Sequence, residues 1–400
     1  MKQRVIANPP IGIYTNSITN IGHAFFLSLL DTVARYKKEF RGENVVFPGR
    51  AYNFYGKRAD KLIPEETSDV EFNKVLDRRN LEAVEQDKNR SKLNLSSLDL
   101  LLDNEKNLVE GVKRDVVKLY EKGYIQRDGN TLLLDCPRIG KNLNLKSHLE
   151  GIAFYPSRIQ GELERFIDNN LNFIPITKST RYSPKNPLGG ENIGPLFILA
   201  NMWDYKYGDS SFTMAGSNGV LSKYIFLRFL SQIVLNDQPG MDELIIWPKI
   251  IAEEGIGSWD INELVKDRYH GDMVRHAVLS TYSKKNHKAE LPKSNWKGAR
   301  NFVYLLANLR KPLKGNFNCG EIVYEEYEKE MDFLNYRKVL IKIEEKLREI
   351  SGEINSRRDS GSWDELSRRN LASRYMPLVR MCGPFVPETV KLISEEMKND

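Results

Sequence analysis

The chain is poor in the residues that build covalent and metal cross-links. Its 400 residues include three cysteines and five histidines. Cys136, Cys319 and Cys382 stand far apart, so there is no Cys-x-x-Cys pair for structural zinc or for dithiol redox chemistry. The histidines are scattered and offer no metal-ligand spacing. No metal site is expected from them, and so few cysteines fit a reducing, cytoplasmic compartment. The chain also lacks any apolar run approaching the roughly 18–20 residues that a membrane-spanning helix needs. The opening MKQRVIANPP carries no apolar stretch before its prolines, which argues against a signal peptide. Neither an internal repeat nor a low-complexity tract is present.

What remains is the composition of a folded chain of two or three domains. Hydrophobic residues make up 40% and charged residues 28%, enough for a core of useful size. Sixty basic residues against 54 acidic ones leave a formal charge of +6. That excess suits an anionic partner such as RNA or a nucleotide, and equally a merely basic soluble protein.

Patterning orders the chain. Val5 and Ile6 open a strand that runs into a loop at Pro9-Pro10. From Gly22, the spacing of Phe26, Leu29, Leu30 and Val33 predicts a helix, closed by the basic Arg35, Lys37 and Lys38 and broken at Gly42. Asn44-Val45-Val46-Phe47 then reads as a buried strand. Strand, loop, helix and strand in this order are the βαβ unit of a parallel sheet.

Residues 61 to about 110 are polar and read as surface helices or loops. Val112, Val116, Leu119 and Tyr120 predict an amphipathic helix capped by Gly123, and Asp128-Gly129-Asn130 marks a hairpin turn. Strand-like FIPITK at 173–178 precedes a Pro- and Gly-rich loop at 182–195. A buried helix over 220–235 and a strand at Leu244-Ile245-Ile246-Trp247 follow. Beyond 291 the chain reads as all helical. Phe333, Tyr336, Leu340, Ile343, Leu347, Ile350 and Ile354 predict one long amphipathic helix of a bundle, its charged face turned to solvent.

One segment concentrates chemistry. Thr15-Asn16-Ser17-Ile18-Thr19-Asn20-Ile21-Gly22-His23-Ala24 lies between the first strand and the first helix. In α/β sheets that is where ligands bind, and the N–H groups of a helix start favour phosphate. Gly22 permits close approach of a nucleotide to the backbone. His23 is either a donor to a phosphate oxygen or a capping or core histidine.

The run PPIGIYTNSITNIGHAFFLSLLDTVARYKKEFRGENVVFPG resembles the opening of a class I aminoacyl-tRNA synthetase of the valine, isoleucine, leucine or methionine type. That family carries His-Ile-Gly-His where this chain has Asn20, Ile21, Gly22 and His23. Further pieces resemble the family in order: LYEKGYIQRDG at 119–129, Asp135-Cys136-Pro137, Ile176-Thr177-Lys178-Ser179 with Arg181-Tyr182, DRYHGDMVRHAVLS around Tyr269, Asp272 and Arg275, and CGPFVPETVKLISEEM at 382–397. Six weak matches in sequence order span nearly the whole chain.

The resemblance implies an α/β fold: a Rossmann-type parallel-sheet nucleotide-binding core with an insertion, followed by a C-terminal α-helical bundle. Its expected divisions are 1–60 and 171–255 for the halves of the core, 61–170 for a short connective insertion, 256–290 for a junction and 291–400 for an anticodon-binding-like bundle. Only about forty residues separate Pro137 from Ile176, whereas an independent editing domain normally needs more than about a hundred. The implied activity is ATP-dependent activation of an amino acid, or a related carboxylic acid, and its transfer to tRNA, with Mg2+ accompanying ATP. Asn20 and His23 take the catalytic positions, Gly22, His23, Gly216 and Asn218 the ATP site, and Tyr14 and Asn53 the amino-acid site.

Three departures qualify that picture. The family's Lys-Met-Ser-Lys-Ser signature is replaced by Ile251-Ala252-Glu253-Glu254-Gly255. The carboxylates of Glu253 and Glu254 would repel a triphosphate that lysines attract, with Lys249 a few residues upstream as a partial substitute. Asn53 stands where an Asp commonly meets the substrate ammonium, and Gly216-Ser217-Asn218 replaces Gly-x-Asp at the ribose. An amide still hydrogen-bonds a hydroxyl but brings no charge to an ammonium. Ordinary aminoacylation, a repurposed paralogue that binds tRNA or nucleotide without it, and a ligase for a non-standard acid therefore all stay open.

Overall fold

The computed structural model describes residues 2–7, 21–48, 50–52, 67–68, 71, 74–75, 78, 93–96, 100–102, 105–169, 171–180, 183–217, 224–247, 249–252, 270–282, 288–292, 294–314 and 325–398. Its elements in chain order begin with β1 (Arg4–Ala7), α1 (Ile21–Glu39), β2 (Val45–Val46), β3 (Arg50–Tyr52), β4 (Leu100–Leu102), α2 (Lys106–Glu121), β5 (Ile125–Asp128) and β6 (Thr131–Leu134). Next come α3 (Cys136–Asn142), α4 (Leu145–Leu149), β7 (Ala153–Tyr155), α5 (Arg158–Asn169), β8 (Ile174–Pro175), β9 (Thr177–Lys178), β10 (Asn192–Ile193), α6 (Pro195–Tyr207) and β11 (Ser211–Ser217). The chain continues through α7 (Phe226–Asn236), β12 (Glu243–Trp247), β13 (Lys249–Ala252), α8 (His270–Leu279) and β14 (Lys288–Leu291). It closes with α9 (Ser294–Leu309), α10 (Glu325–Asp332), α11 (Tyr336–Asp359), α12 (Glu365–Cys382) and α13 (Pro387–Lys398).

Two compact units result. The first comprises residues 1–18, 43–87 and 97–247, and the second 19–42, 88–96 and 248–400.

The first unit is built on a five-stranded sheet of order β2-β1-β11-β12-β7, every neighbour parallel. A parallel strand covered on both faces has no solvent side to alternate toward, and Val5, Ile6 and Ala7 are all fully buried. The expected parallel pairing of the first two strands is present, with Arg4 opposite Val45 and Val5 opposite Val46. The core is continuous from α2 (Val112, Val116) through α6 (Trp203) to α7 (Leu230).

Local chemistry explains where elements stop. At the end of α2, Gly123 takes φ +76°, Tyr124 N–H donates to Leu119 O, and Gly123 N–H donates to Tyr120 O. This is a Schellman motif, which satisfies two carbonyls that the helix leaves open. The hairpin then forms as expected, with Asp128 opposite Thr131.

Several expectations need correction. Helix α2 starts at Lys106, and Tyr120 lies off its buried face, 51% exposed. Leu100–Leu102 form β4, parallel to β3, and are not part of a surface helix or loop. The strand expected over 173–178 is divided: β8 pairs with β6 and β9 with β10, because Ile176 between them gives its N–H to Leu132 O and its carbonyl to Gly194 N–H.

Among its described residues the second unit's elements are helical apart from β13 and β14, which pair in parallel. Its long helix is α11, whose Tyr336, Leu340, Ile343, Leu347, Ile350 and Ile354 are buried as expected. Phe333 is the exception: it is 49% exposed and falls between α10 and α11. Leu334 adopts φ +55° there, Leu334 N–H donates to Met331 O, and Asn335 N–H donates to Glu330 O. These are again the two Schellman bonds, now with leucine in the left-handed position usually taken by glycine. The charged face of α11 is solvated and laced with local pairs such as Arg348–Glu344 and Lys346–Glu349.

Candidate functional site

The sheet order fixes where a ligand belongs. From β1 the chain passes to β2 on one side; from β11 it passes to β12 on the other. The order reverses between β1 and β11, and crevices at such switch points, outside the carboxyl ends of the strands, are where open α/β sheets bind ligands.

The amino edge is closed by charge. Arg4 Nε meets Glu43 at 2.5 Å and Arg4 Nη1 approaches Glu243 at 3.4 Å, while Thr213 Oγ1 donates to Glu243 at 2.7 Å. Burial works against the Arg4 guanidinium, but Glu243 and Glu43 outweigh it and raise its pKa.

Buried polar contacts tie α6, α7 and the turn before β12 together. Arg228 of α7, fully buried, forms a fork to Asp204 at 2.8 and 2.9 Å and also donates to Ala200 O and Gly240 O. Trp203 Nε1 donates to Tyr224 Oη at 2.8 Å. These bonds hold the start of α7 against α6, with the Arg228 guanidinium over the Phe212 ring at the amino end of β11. A Cβ at Gly216 would lie 2.9 Å from Ile225 Cδ1, so glycine there lets the chain before α7 pack onto the strand.

The two segments singled out from sequence follow these two strands directly in the chain: 14–23 after β1 and 216–218 at the end of β11. Gly216 is buried in β11, opposite Ile246. Gly22 is exposed in the first turn of α1, and His23 follows it in the same helix. Gly216 belongs to the first unit; Gly22 and His23 belong to the second. Ile251 and Ala252 end β13, which starts at Lys249. Tyr14, Asn20, Asn53, Asn218, Glu253 and Glu254 lie outside the described residues, as does the side chain of His23.

Helix α1 is held within the second unit by a centre that sequence reading missed. Asp31 is fully buried and accepts from Arg275 at 2.7 Å, Arg35 at 2.8 Å, and Ser96 N–H and Oγ at 2.6 and 2.5 Å. Burial opposes its carboxylate, but these partners outweigh burial and lower its pKa. Arg275, also fully buried, donates to Pro384 O, Phe385 O and Leu93 O. Asp272 accepts from Thr389 N–H and Oγ1, both at 2.6 Å, and from Asn94 Nδ2 at 3.2 Å. Asp272 and Arg275 stand out in the sequence only by resemblance. The one local signal is a pair of opposite charges spaced i, i+3 in an otherwise apolar helix.

Among the described residues, no group of three or more His, Cys, Asp or Glu side chains is placed to hold a metal ion, and no helix is long and apolar enough to cross a membrane.

A parallel sheet with a switch point in its strand order, joined in one chain to a helical unit, defines an α/β fold of the nucleotide-binding type. Solved structures show which one. Mycobacterium tuberculosis methionyl-tRNA synthetase in complex with methionyl-adenylate is similar with a TM-score of 0.76 at 13% identity, covering 99% of this chain and 94% of that one. A second structure of that enzyme bound by methionyl-adenylate gives 0.72 at 12% identity, with coverage of 98% and 93%. Its apo form gives 0.69 at 14% identity, with coverage of 98% and 91%. The chain has the methionyl-tRNA synthetase fold, of the class I type. No protein-family model matches the sequence, and no curated protein matches it.

Proposed function

We propose that this chain is a class I aminoacyl-tRNA synthetase-like protein that binds ATP at the switch point between β1 and β11 and activates an amino acid or related carboxylic acid. The observation that carries this reading is a coincidence of position. The two sequence segments that resemble the family's nucleotide motifs are those that follow the two switch-point strands, in a chain whose fold matches along its whole length. The similar enzyme is solved with methionyl-adenylate, the product of such an activation.

In the proposed chemistry a substrate carboxylate oxygen attacks the α-phosphorus of ATP and pyrophosphate leaves. Asn20 and His23 donate to phosphate oxygens as charge builds, the kind of contact whose loss typically costs a few kcal/mol. Gly22 lets the nucleotide approach the start of α1, and Gly216 with Asn218 holds the ribose. Tyr14 and Asn53 face the acid. Mg2+ bound with ATP would neutralise phosphate charge. Transfer to tRNA follows, with the C-terminal helices as the RNA-docking part and the cytoplasm as the working compartment.

Glu253 and Glu254, where the family has phosphate-binding lysines, support a second reading: a repurposed paralogue that binds tRNA or nucleotide without forming adenylate. Amino-acid-dependent exchange of pyrophosphate into ATP, run over all twenty amino acids, separates the two. Exchange with one of them, abolished in His23→Ala, is the expected result. No exchange with any, alongside saturable tRNA binding, would overturn the first reading in favour of the second.

A further inference from the structure

A cavity of about 850 Å3 opens in the first unit. Among the described residues none of β1 or β11 lines it, whereas the first turns of α6 and α7 both do. One wall is aromatic and fixed: Phe166 of α5 meets Phe226 of α7 edge to face, with ring centroids 4.8 Å apart. Opposite charges lie in the same lining. The carboxylate of Glu191 accepts from Thr131 Oγ1 at 2.8 Å, and Glu191 N–H donates to Asn130 O at 2.9 Å, so this anion is anchored at both backbone and side chain. Lys178, the last residue of β9, supplies a cation. Two further lining residues, Phe173 and Leu196, remain 44% and 42% exposed, which leaves apolar area at the mouth for a ligand to cover.

We infer that this cavity binds an aromatic zwitterion, a ligand with a ring, an ammonium and a carboxylate on one small body. The ammonium meets Glu191, whose second oxygen is free of the Thr131 bond. The carboxylate meets Lys178, and the ring lies against Phe166, Phe173 and Leu196. Each element has its own physical ground. Charge-assisted hydrogen bonds are about twice as strong as neutral ones. Aromatic rings gain from edge and offset contacts beyond their buried area. A pocket that is mostly apolar with a few placed polar groups is the usual small-molecule site, at volumes of roughly 300–1,000 Å3. The inference goes beyond the nucleotide reading, because the switch-point strands take no part in this lining.

Calorimetric titration of the full chain with L-tryptophan, tryptamine and indole-3-propionate tests it. L-tryptophan should bind saturably. Tryptamine and indole-3-propionate, each missing one charge, should bind about tenfold more weakly. Glu191→Gln, which keeps the acceptor for Thr131, should weaken L-tryptophan about tenfold while leaving indole-3-propionate unchanged. Leu196→Arg, at a half-exposed position that tolerates a polar group, should block all three by crowding the mouth. His23→Ala should leave all three affinities as they are. The inference is overturned by an absence of saturable binding for every probe. It is overturned equally by affinities unchanged in both cavity variants, or by L-tryptophan binding that His23→Ala removes.

Discussion

The two units bury charge in opposite ways. In the first, the buried guanidinium of α7 has a single carboxylate partner. Arg228 forks onto Asp204 of the adjacent helix, and Asp204 keeps 28% of its side chain in solvent. In the second, Asp31, Arg275 and Asp272 form a closed centre that joins α1, residues 93–96, α8 and the turn before α13. A pair with one wet partner can relax toward water when it is broken. A centre of three fully buried ionisable groups cannot, since a buried ion left alone costs several kcal/mol. The second unit therefore holds α1, whose first turn carries Gly22 and His23, in one place within that unit.

The largest test of that contrast is Arg275→Met. Asp31 would keep only Arg35 and Ser96, and unfolding in urea should show a loss of about 3–5 kcal/mol. Arg228→Met in the first unit should cost less, about 2–3 kcal/mol. A reversed order of the two would break the comparison.

His276 sharpens it next. The ring is buried against Phe302, centroids 4.4 Å apart, and neither nitrogen has a hydrogen-bond partner among the described residues. Burial lowers its pKa from 6.5 to about 3. A depressed folded pKa means that the unfolded chain takes up the proton first. The stability is thus complete above pH 6.5 and declines as pH falls from there toward 3. Near pH 5 the loss should be about 2 kcal/mol, and His276→Phe should remove that dependence in a pH series of melting curves.

Asp115 offers a test of the opposite sign. Burial in the first unit raises its pKa from 3.8 to about 6, although Tyr205 Oη donates to it at 2.6 Å. The protonated form favours folding below pH 3.8, and that advantage disappears as pH rises through 6. Asp115→Asn, neutral at every pH, should raise stability by about 3 kcal/mol at pH 7.5 and by almost nothing at pH 4.

How much of this was legible in the sequence depends on the range of the interaction. The apolar run at Val5-Ile6 and the spacing of Phe26, Leu29, Leu30 and Val33 revealed β1 and α1, because strand and helix periods are local. Glycine at 123 announced one Schellman turn. Leu334 makes the same turn without any residue signal, so Phe333 was assigned to a helix it does not join. Ser28, Asp31 and Thr32 are polar residues of α1, yet all are buried. Their partners come from residues 93–96, 275 and 384, distances in sequence that no periodicity reveals. For the candidate site, the place of 14–23 after a strand is legible in the apolar run at Val5-Ile6, whereas the strand that ends at 216–217 is not read from the sequence. That those two strands flank the switch point is not legible either, since strand order is a property of pairing.

The central claim is that nucleotide binds at that switch point. Photolabelling of the full chain with 8-azido-ATP, followed by peptide mapping, tests it most directly. The account predicts label, displaced by unmodified ATP, on peptides covering residues 8–23 or 216–223. Displaceable label confined to other peptides, such as those of α10 to α13, would contradict it.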